Sequence, residues 1–417
     1  MGENTPMHLF SRYALIALFK YLFKAVALAT LVATLAGSAS ALFLFALDWA
    51  TQTREANRWL IWGLPLAGFL VGWLYLKFGH HVEAGNNLLI DEIHDPKKVV
   101  PLRMAPLVLG GTVVSHLFGA SVGREGTAVQ MGGALADQLT HFFKLNPIDR
   151  RMVLMAGISA GFASVFGTPL AGAVFALEVL AIGRMRLDAL LPCVIAAIVA
   201  DQVGLLWGVQ HTQYEVGLVP QITAWLLSAM VLAGAVFGLT GKLFATGTHA
   251  LSGLMKKHIS YAPLRPLLGG AVIAAVVMWG NFDRYIGLGI SVMVEAFAHP
   301  LAPTDFLGKM AFTIASLGAG FKGGEVTPLF YIGATLGNAM APLLDVPFAL
   351  LAAVGFVAVF AGAANTPIAS TLMAMELFGA EIGVFAALAC VMSYVCSGHA
   401  GIYRAQRVAH RKTDATS

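Results

Sequence analysis

Long apolar stretches alternate with short polar islands along the whole chain, at about 14–50, 59–78, 104–122, 126–143, 152–166, 168–182, 187–208, 221–250, 264–280, 304–320, 326–344, 347–363, 366–379 and 382–397. The longest are sufficient for a helix that crosses a bilayer, which takes about 20 residues. Others run only 12–16 residues and break at Gly167-Thr168-Pro169 or Thr366-Pro367. Such segments predict half-crossings that meet inside the membrane, where a non-helical backbone has to be buried in protein or line a wet cavity. Period-two alternation is absent, which excludes a β-barrel. The pattern therefore predicts an all-α polytopic membrane protein built partly from tilted and broken helices.

The chain also resembles itself. Gly123-Arg124-Glu125-Gly126-Thr127 with Gly133-Ala134 returns as Gly323-Gly324-Glu325-Val326-Thr327 with Gly333-Ala334, an offset of 200. Thr168-Pro169-Leu170-Ala171 with Ala176-Leu177-Glu178 returns as Thr366-Pro367-Ile368-Ala369 with Ala374-Met375-Glu376, an offset of 198. Two matches in the same order at nearly one offset mark a duplicated unit, with repeats at about 25–210 and 221–400. An odd number of crossings per repeat makes the halves inverted, an even number parallel; the charge pattern leaves both open.

Composition sharpens the membrane reading. Of 417 residues 58% are hydrophobic and 12% charged, against about 25% charged in an average soluble domain. The 45 glycines suit closely packed and broken membrane helices. Net charge is only +4, with basic residues at Arg12, Lys20 and Lys24 and again at Arg404, Arg407, Arg411 and Lys412. By the positive-inside rule both termini are expected in the cytoplasm, and no nucleic-acid partner is implied. No secretory signal and no cytosolic regulatory domain are read, and the chain is expected to form one transmembrane transporter domain over 1–417. Cys193, Cys390 and Cys396 lie in apolar stretches without C-x-x-C spacing and read as packing residues. Neither His80-His81-Val82-Glu83 nor Asp91-Glu92-Ile93-His94-Asp95 has the spacing of a helical metal motif, so both read as solvated loops, and no metal or cofactor is expected.

Glu125 stands out chemically, because a carboxylate at membrane depth costs about 2.5–3.5 kcal/mol or more and is rarely kept without a task. It sits between glycines at a predicted helix start, where free N–H groups and the helix dipole favour anions. Ionised, such a Glu occupies the anion site; protonated, it leaves, which makes one residue both gate and proton carrier. A simple capping carboxylate is the alternative. Glu325 holds the matching place, with Thr327 as a cap and Pro328 expected at the first helical position. Glu178 and Glu376 read as a structural pair, bound to Arg184 or capping neighbouring loops. Gly85-Asn86-Asn87 opens another helix-like run, with amide donors or plain caps on offer.

These residues, with Gly123-Arg124-Glu125-Gly126, the stretch from Ala156 to Gly172, and Ile402-Tyr403, resemble the CLC family of chloride channels and chloride/proton antiporters over nearly the whole chain. The resemblance implies a homodimer with one pore per subunit, two inverted repeats, and Glu125 as the gating glutamate. It places an anion site at Gly85, Asn86, Gly126, Val326, Thr327 and Tyr403. The chain departs from the chloride-type pattern in having Asn86 for Ser, Thr127 for Pro and Val326 for Phe, and Val179 where chloride exchangers carry an inner proton glutamate. This set looks like the fluoride/proton antiporter branch. Fluoride holds water tightly, so a site that strips it must return dense hydrogen bonding, as the Asn86 amide and the Thr327 and Tyr403 hydroxyls would. Glu325 is then the expected inner proton group.

The expectation is a fluoride/proton antiporter of a bacterial cytoplasmic membrane, with fluoride, protons and lipid as its partners. A chloride/proton antiporter or chloride channel on the same scaffold is the first alternative. An intramembrane enzyme using Glu125 and Glu325 as an acid/base pair is the second; no positioned nucleophile supports it.

Overall fold

A computed structural model describes residues 12–412, which form sixteen α-helices. The first group is α1 (Arg12–Ala56), α2 (Leu64–Phe78), α3 (Asn86–His94), α4 (Met104–Leu117), α5 (Glu125–Phe143), α6 (Pro147–Phe166), α7 (Pro169–Glu178) and α8 (Leu190–Leu206). The second is α9 (Ala224–His258), α10 (Leu264–Gly280), α11 (Ile290–Ala298), α12 (Asp305–Ala319), α13 (Val326–Leu344), α14 (Phe348–Ala364), α15 (Pro367–Phe378) and α16 (Gly383–Cys396). Two short strands, β1 (Ala181–Ile182) and β2 (Arg407–Val408), pair in parallel. Among the described residues, only the segments Leu15–Ala56, Arg58–Phe78, Leu187–Leu206 and Ala224–His258 are long and apolar enough to span a bilayer alone. Shorter apolar helices, among them Pro169–Glu178 and Pro367–Phe378, start at the breaks the sequence marks.

Helix ends follow local chemistry. The Asn146 side chain accepts hydrogen bonds from the N–H groups of Ile148 and Asp149 and starts α6, with Pro147 behind it; Gly167, at φ +69°, ends it. The pair α5–α6 is mirrored by α13–α14, and both pairs are held by glycine contact. A Cβ on Gly132 would lie 2.2 Å from the Gly157 carbonyl oxygen, and one on Gly333 would lie 2.0 Å from that of Gly355. Alanine is excluded at both crossings. Aromatic rings fill the middle: Phe162 stacks on Phe175 at 4.3 Å and Phe330 on Phe356 at 4.2 Å, and Phe166–Phe330 at 5.2 Å joins the two halves.

Three sequence expectations change. The run 168–182 stops being helical at Glu178 and continues into β1. The nine-residue α11 was not among the predicted runs, being short and interrupted by Glu295. The Asp91–Asp95 stretch is no solvated loop throughout: Glu92 is buried on α3. It accepts hydrogen bonds from Arg150 at 3.0 Å and from the Lys97 N–H at 2.8 Å, while Arg150 also binds Asp137 at 2.8 Å. A buried carboxylate needs such partners.

Candidate functional site

The two glycine loops that recur in the sequence meet each other. The Gly123 N–H donates to the Gly324 carbonyl at 2.6 Å and the Gly324 N–H to that of Gly123 at 2.8 Å. A Cβ on Gly123 would lie 2.9 Å from Pro328 Cδ and 3.0 Å from the Gly324 oxygen, so only glycine lets the chains come this close. This bridge holds the N-termini of α5 and α13 beside one another.

Glu125 is the first residue of α5 and is fully buried. Its carboxylate does not cap its own helix. It crosses to α13, where Oε2 accepts the Thr327 N–H at 3.0 Å and the Thr327 hydroxyl. The Arg124 N–H lies 3.3 Å from Oε2 and Arg124 Nε 3.4 Å from Oε1. The carboxylate thus sits where the N-terminus of the opposite repeat's helix favours negative charge. Thr127 is occupied elsewhere, its hydroxyl 2.7 Å from that of Thr112.

Glu325 has the repeat-related place but different surroundings. It is the N-cap residue of α13 and its side chain caps nothing. It lines a cavity of about 570 Å³ together with Gly85, Asn86, Asn87, Gln130 and Tyr403. Lys256, Arg265, Lys322 and Arg404 also line it, against the acids Glu83 and Glu325. Such a basic vestibule draws anions. A Cβ on Gly126 would lie 3.1 Å from Asn86 Nδ2 and 3.9 Å from Glu325 Oε2, so the Asn86 amide and Glu325 close around the start of α5.

Several expected positions shift. Thr327 is the second residue of α13 and binds Glu125 rather than capping, and Pro328 is third rather than first. Val326 is sealed in the core at 1% exposure and does not face the cavity. Asn86 opens α3 behind Gly85, at φ +59°, without capping it; its Oδ1 is buried with no hydrogen-bond partner among the described residues. Sequence reasoning missed Arg124 as a partner of Glu125. It also missed two residues that hang Tyr403 in place. Asn87 Oδ1 accepts the Ala405 N–H at 2.9 Å. Gln406 Nε2 donates to the carbonyls of Val179 and Ala364, each at 2.8 Å.

Glu178 and Glu376 neither bind Arg184 nor cap their own helices. Glu178 accepts the N–H groups of Ile368 and Ala369 at the start of α15, at 3.1 and 2.9 Å. Glu376 accepts those of Leu170 and Ala171 at the start of α7, both at 2.8 Å. The exchange leaves the Thr168 and Thr366 hydroxyls, the caps a T-P start suggests, buried without partners among the described residues.

A family profile described as voltage gated chloride channel matches residues 67–398. A chloride/fluoride channel protein of Pseudomonas syringae pv. tomato is 67% identical over 97% of this chain and 91% of its own length. The H(+)/Cl(-) exchange transporter ClcA of Vibrio parahaemolyticus is 27% identical over 85% of this chain and 82% of its own. Among solved structures, that of a CLC-type fluoride/proton antiporter superposes with a TM-score of 0.90 at 32% identity, covering 96% of this chain and all of that one. With its paired helix termini and crossed glutamates, this chain belongs to the CLC family of voltage gated chloride channels and anion/proton antiporters.

Proposed function

We propose that the protein is a fluoride/proton antiporter that exports fluoride from the cytoplasm while protons enter. It works as a homodimer in a bacterial cytoplasmic membrane with both termini in the cytoplasm. One observation carries the reading: Glu125 fills an anion position on the N-terminus of α13, and Glu325 stands just beyond it on the basic cavity. Protonated, Glu125 releases the Thr327 donors to an anion; ionised, it reclaims them. Asn86 and Tyr403 complete the anion path from the cavity side, and Gly85 and Gly126 let the backbone approach it. Glu325 takes the inner proton role. The identities with the chloride/fluoride channel protein and with the fluoride/proton antiporter structure support fluoride over chloride. Membership of a transporter family favours transport over catalysis.

The test is ion mass balance in sealed proteoliposomes, with a fluoride electrode, a chloride electrode and a pH probe. Fluoride efflux should drive proton uptake, and chloride should move far more slowly. Equal fluxes of the two anions would replace this reading with the chloride alternative. Anion flux without proton movement would make the protein a channel.

A further inference from the structure

We propose that His211, which lies outside the large cavity, is a proton-transfer residue passing protons between solution and Glu125. A second, small cavity of about 10 Å³ is lined by Arg124, His211, Tyr214, Met293 and Thr327, among others. That is near the lower limit for one water molecule. Two of these residues, Thr327 and Arg124, are the ones that hold the Glu125 carboxylate. The cavity therefore joins the imidazole to the groups around the gate.

The ring is fixed from behind. It lies in the stretch between α8 and α9, packed on the turn that ends α6, where a Cβ on Gly167 would be 2.5 Å from its Cδ2. Its Nε2 is 3.7 Å from Asp201 Oδ1. That separation is beyond a hydrogen bond, and both atoms are buried without a partner among the described residues. The His211 side chain retains 15% exposure, so it keeps contact with the outside. The groups that face it are Arg124 ahead of α5, Asp201 on α8 and Tyr214 on its own stretch, with Glu376 of α15 acting on Asp201. To the cavity wall α11, α13 and α14 contribute only apolar side chains and Thr327.

Histidine is the side chain whose ordinary pKa, about 6.5, lets it give and take a proton near neutrality. In the proposed step the imidazolium gives one proton to a water in the cavity, the water gives one to the Thr327 hydroxyl, and that hydroxyl passes its own proton to the Glu125 carboxylate, to which it already donates. Neutral Glu125 then leaves Thr327, and the neutral ring regains a proton from solution through its exposed edge. Each transfer moves one proton, and the ring ends as it began.

The inference rests on the antiporter reading, and one experiment separates the two. Wild-type protein in liposomes is measured beside His211→Gln and Asp201→Asn, by fluoride electrode and pH probe. His211→Gln should slow coupled exchange about tenfold or more and change its dependence on pH on the His211 side. Free imidazole added to that side should restore the rate, and imidazole added to the other side should not. Fluoride affinity by calorimetry should stay within about twofold of wild type, because the substitution leaves both Thr327 donors in place. Asp201→Asn, which keeps the imidazole, should shift the pH profile while retaining most of the rate. An unchanged rate and profile in His211→Gln would overturn the assignment, and so would a slowed rate that imidazole does not rescue. A wild-type protein that moves no protons would defeat the antiporter reading itself.

Discussion

The two pairs of repeat-related glutamates have the same origin and opposite fates. Glu178 and Glu376 exchange helix ends symmetrically, each accepting two N–H groups of the other repeat. Glu125 and Glu325 start from equally equivalent places, yet only Glu125 crosses to the other repeat's helix; Glu325 turns to the cavity. Symmetry kept satisfies backbone donors and holds the halves together. Symmetry broken leaves one carboxylate on the N-terminus of the other repeat's helix and the other lining the cavity. The difference makes the asymmetric pair, rather than the symmetric one, the candidate for the proposed transport cycle.

Breaking the asymmetric pair should have the largest effect. Glu125→Gln fixes the neutral form, so coupled exchange in liposomes should fall by a factor of about 100 or more. Glu325→Gln should abolish proton movement while the protein stays folded and dimeric by size-exclusion chromatography. Normal coupling in either variant would remove that residue from the mechanism.

The symmetric pair should instead register in stability. Glu178→Ala orphans two N–H groups in a buried setting and should cost about 2–4 kcal/mol. Glu376→Ala, at a half-exposed position, should cost about half as much, since water can reach the freed donors. Thermal melts in detergent compare them, and fluoride/proton stoichiometry should be unchanged in both. A loss of coupling at Glu178 would undo the contrast between the pairs.

A smaller effect is expected at Asn86, which touches only the asymmetric junction. Asn86→Ser removes amide donors from the path and should lower the fluoride-to-chloride flux ratio, about tenfold for each 1.4 kcal/mol lost. An unchanged ratio would move selectivity to the backbone.

The smallest effect concerns what covers the symmetric junctions. His211 packs on Gly167, whereas the equivalent Asn365 accepts a hydrogen bond from Lys412 of the tail. Burial pulls the Lys412 ammonium from 10.5 down to about 7. Docking therefore favours the neutral amine. It should be tightest above the ordinary value, weaken as pH falls from about 10.5 towards 7, and change little below that. Hydrogen exchange at the Ala409 and His410 amides, which bind the Ile182 carbonyl, should quicken across that window. A flat response would mean that the docked lysine stays charged.

Much of this was legible in the sequence, for physical reasons. Apolar runs such as 326–344 coincide with their helices because lipid and core both demand apolar residues there. The offsets of 200 and 198 exposed the duplication because both repeats retained their helix-start chemistry. Partner choice was hidden. That Glu125 binds Thr327, and Glu178 the start of α15, depends on how segments about 200 residues apart are brought together, which no local pattern encodes. The partners of Asn87, Arg124 and Gln406 were hidden for the same reason, since their contacts are to backbone or to a neighbour's charge. Val326 was placed on the anion path by its sequence position, but the first turn of α13 points it into the core.

The reciprocal capping by Glu178 and Glu376 bears on how the protein is made. The α7 donors wait for a carboxylate 206 residues further on, which at a synthesis rate of about 5–20 residues per second arrives some 10–40 s later. Until then the first-made half sits in the membrane with an open helix end. Biogenesis of this chain is thus a problem of waiting, and a ribosome paused between the repeats would leave a nascent half exposed to membrane quality control.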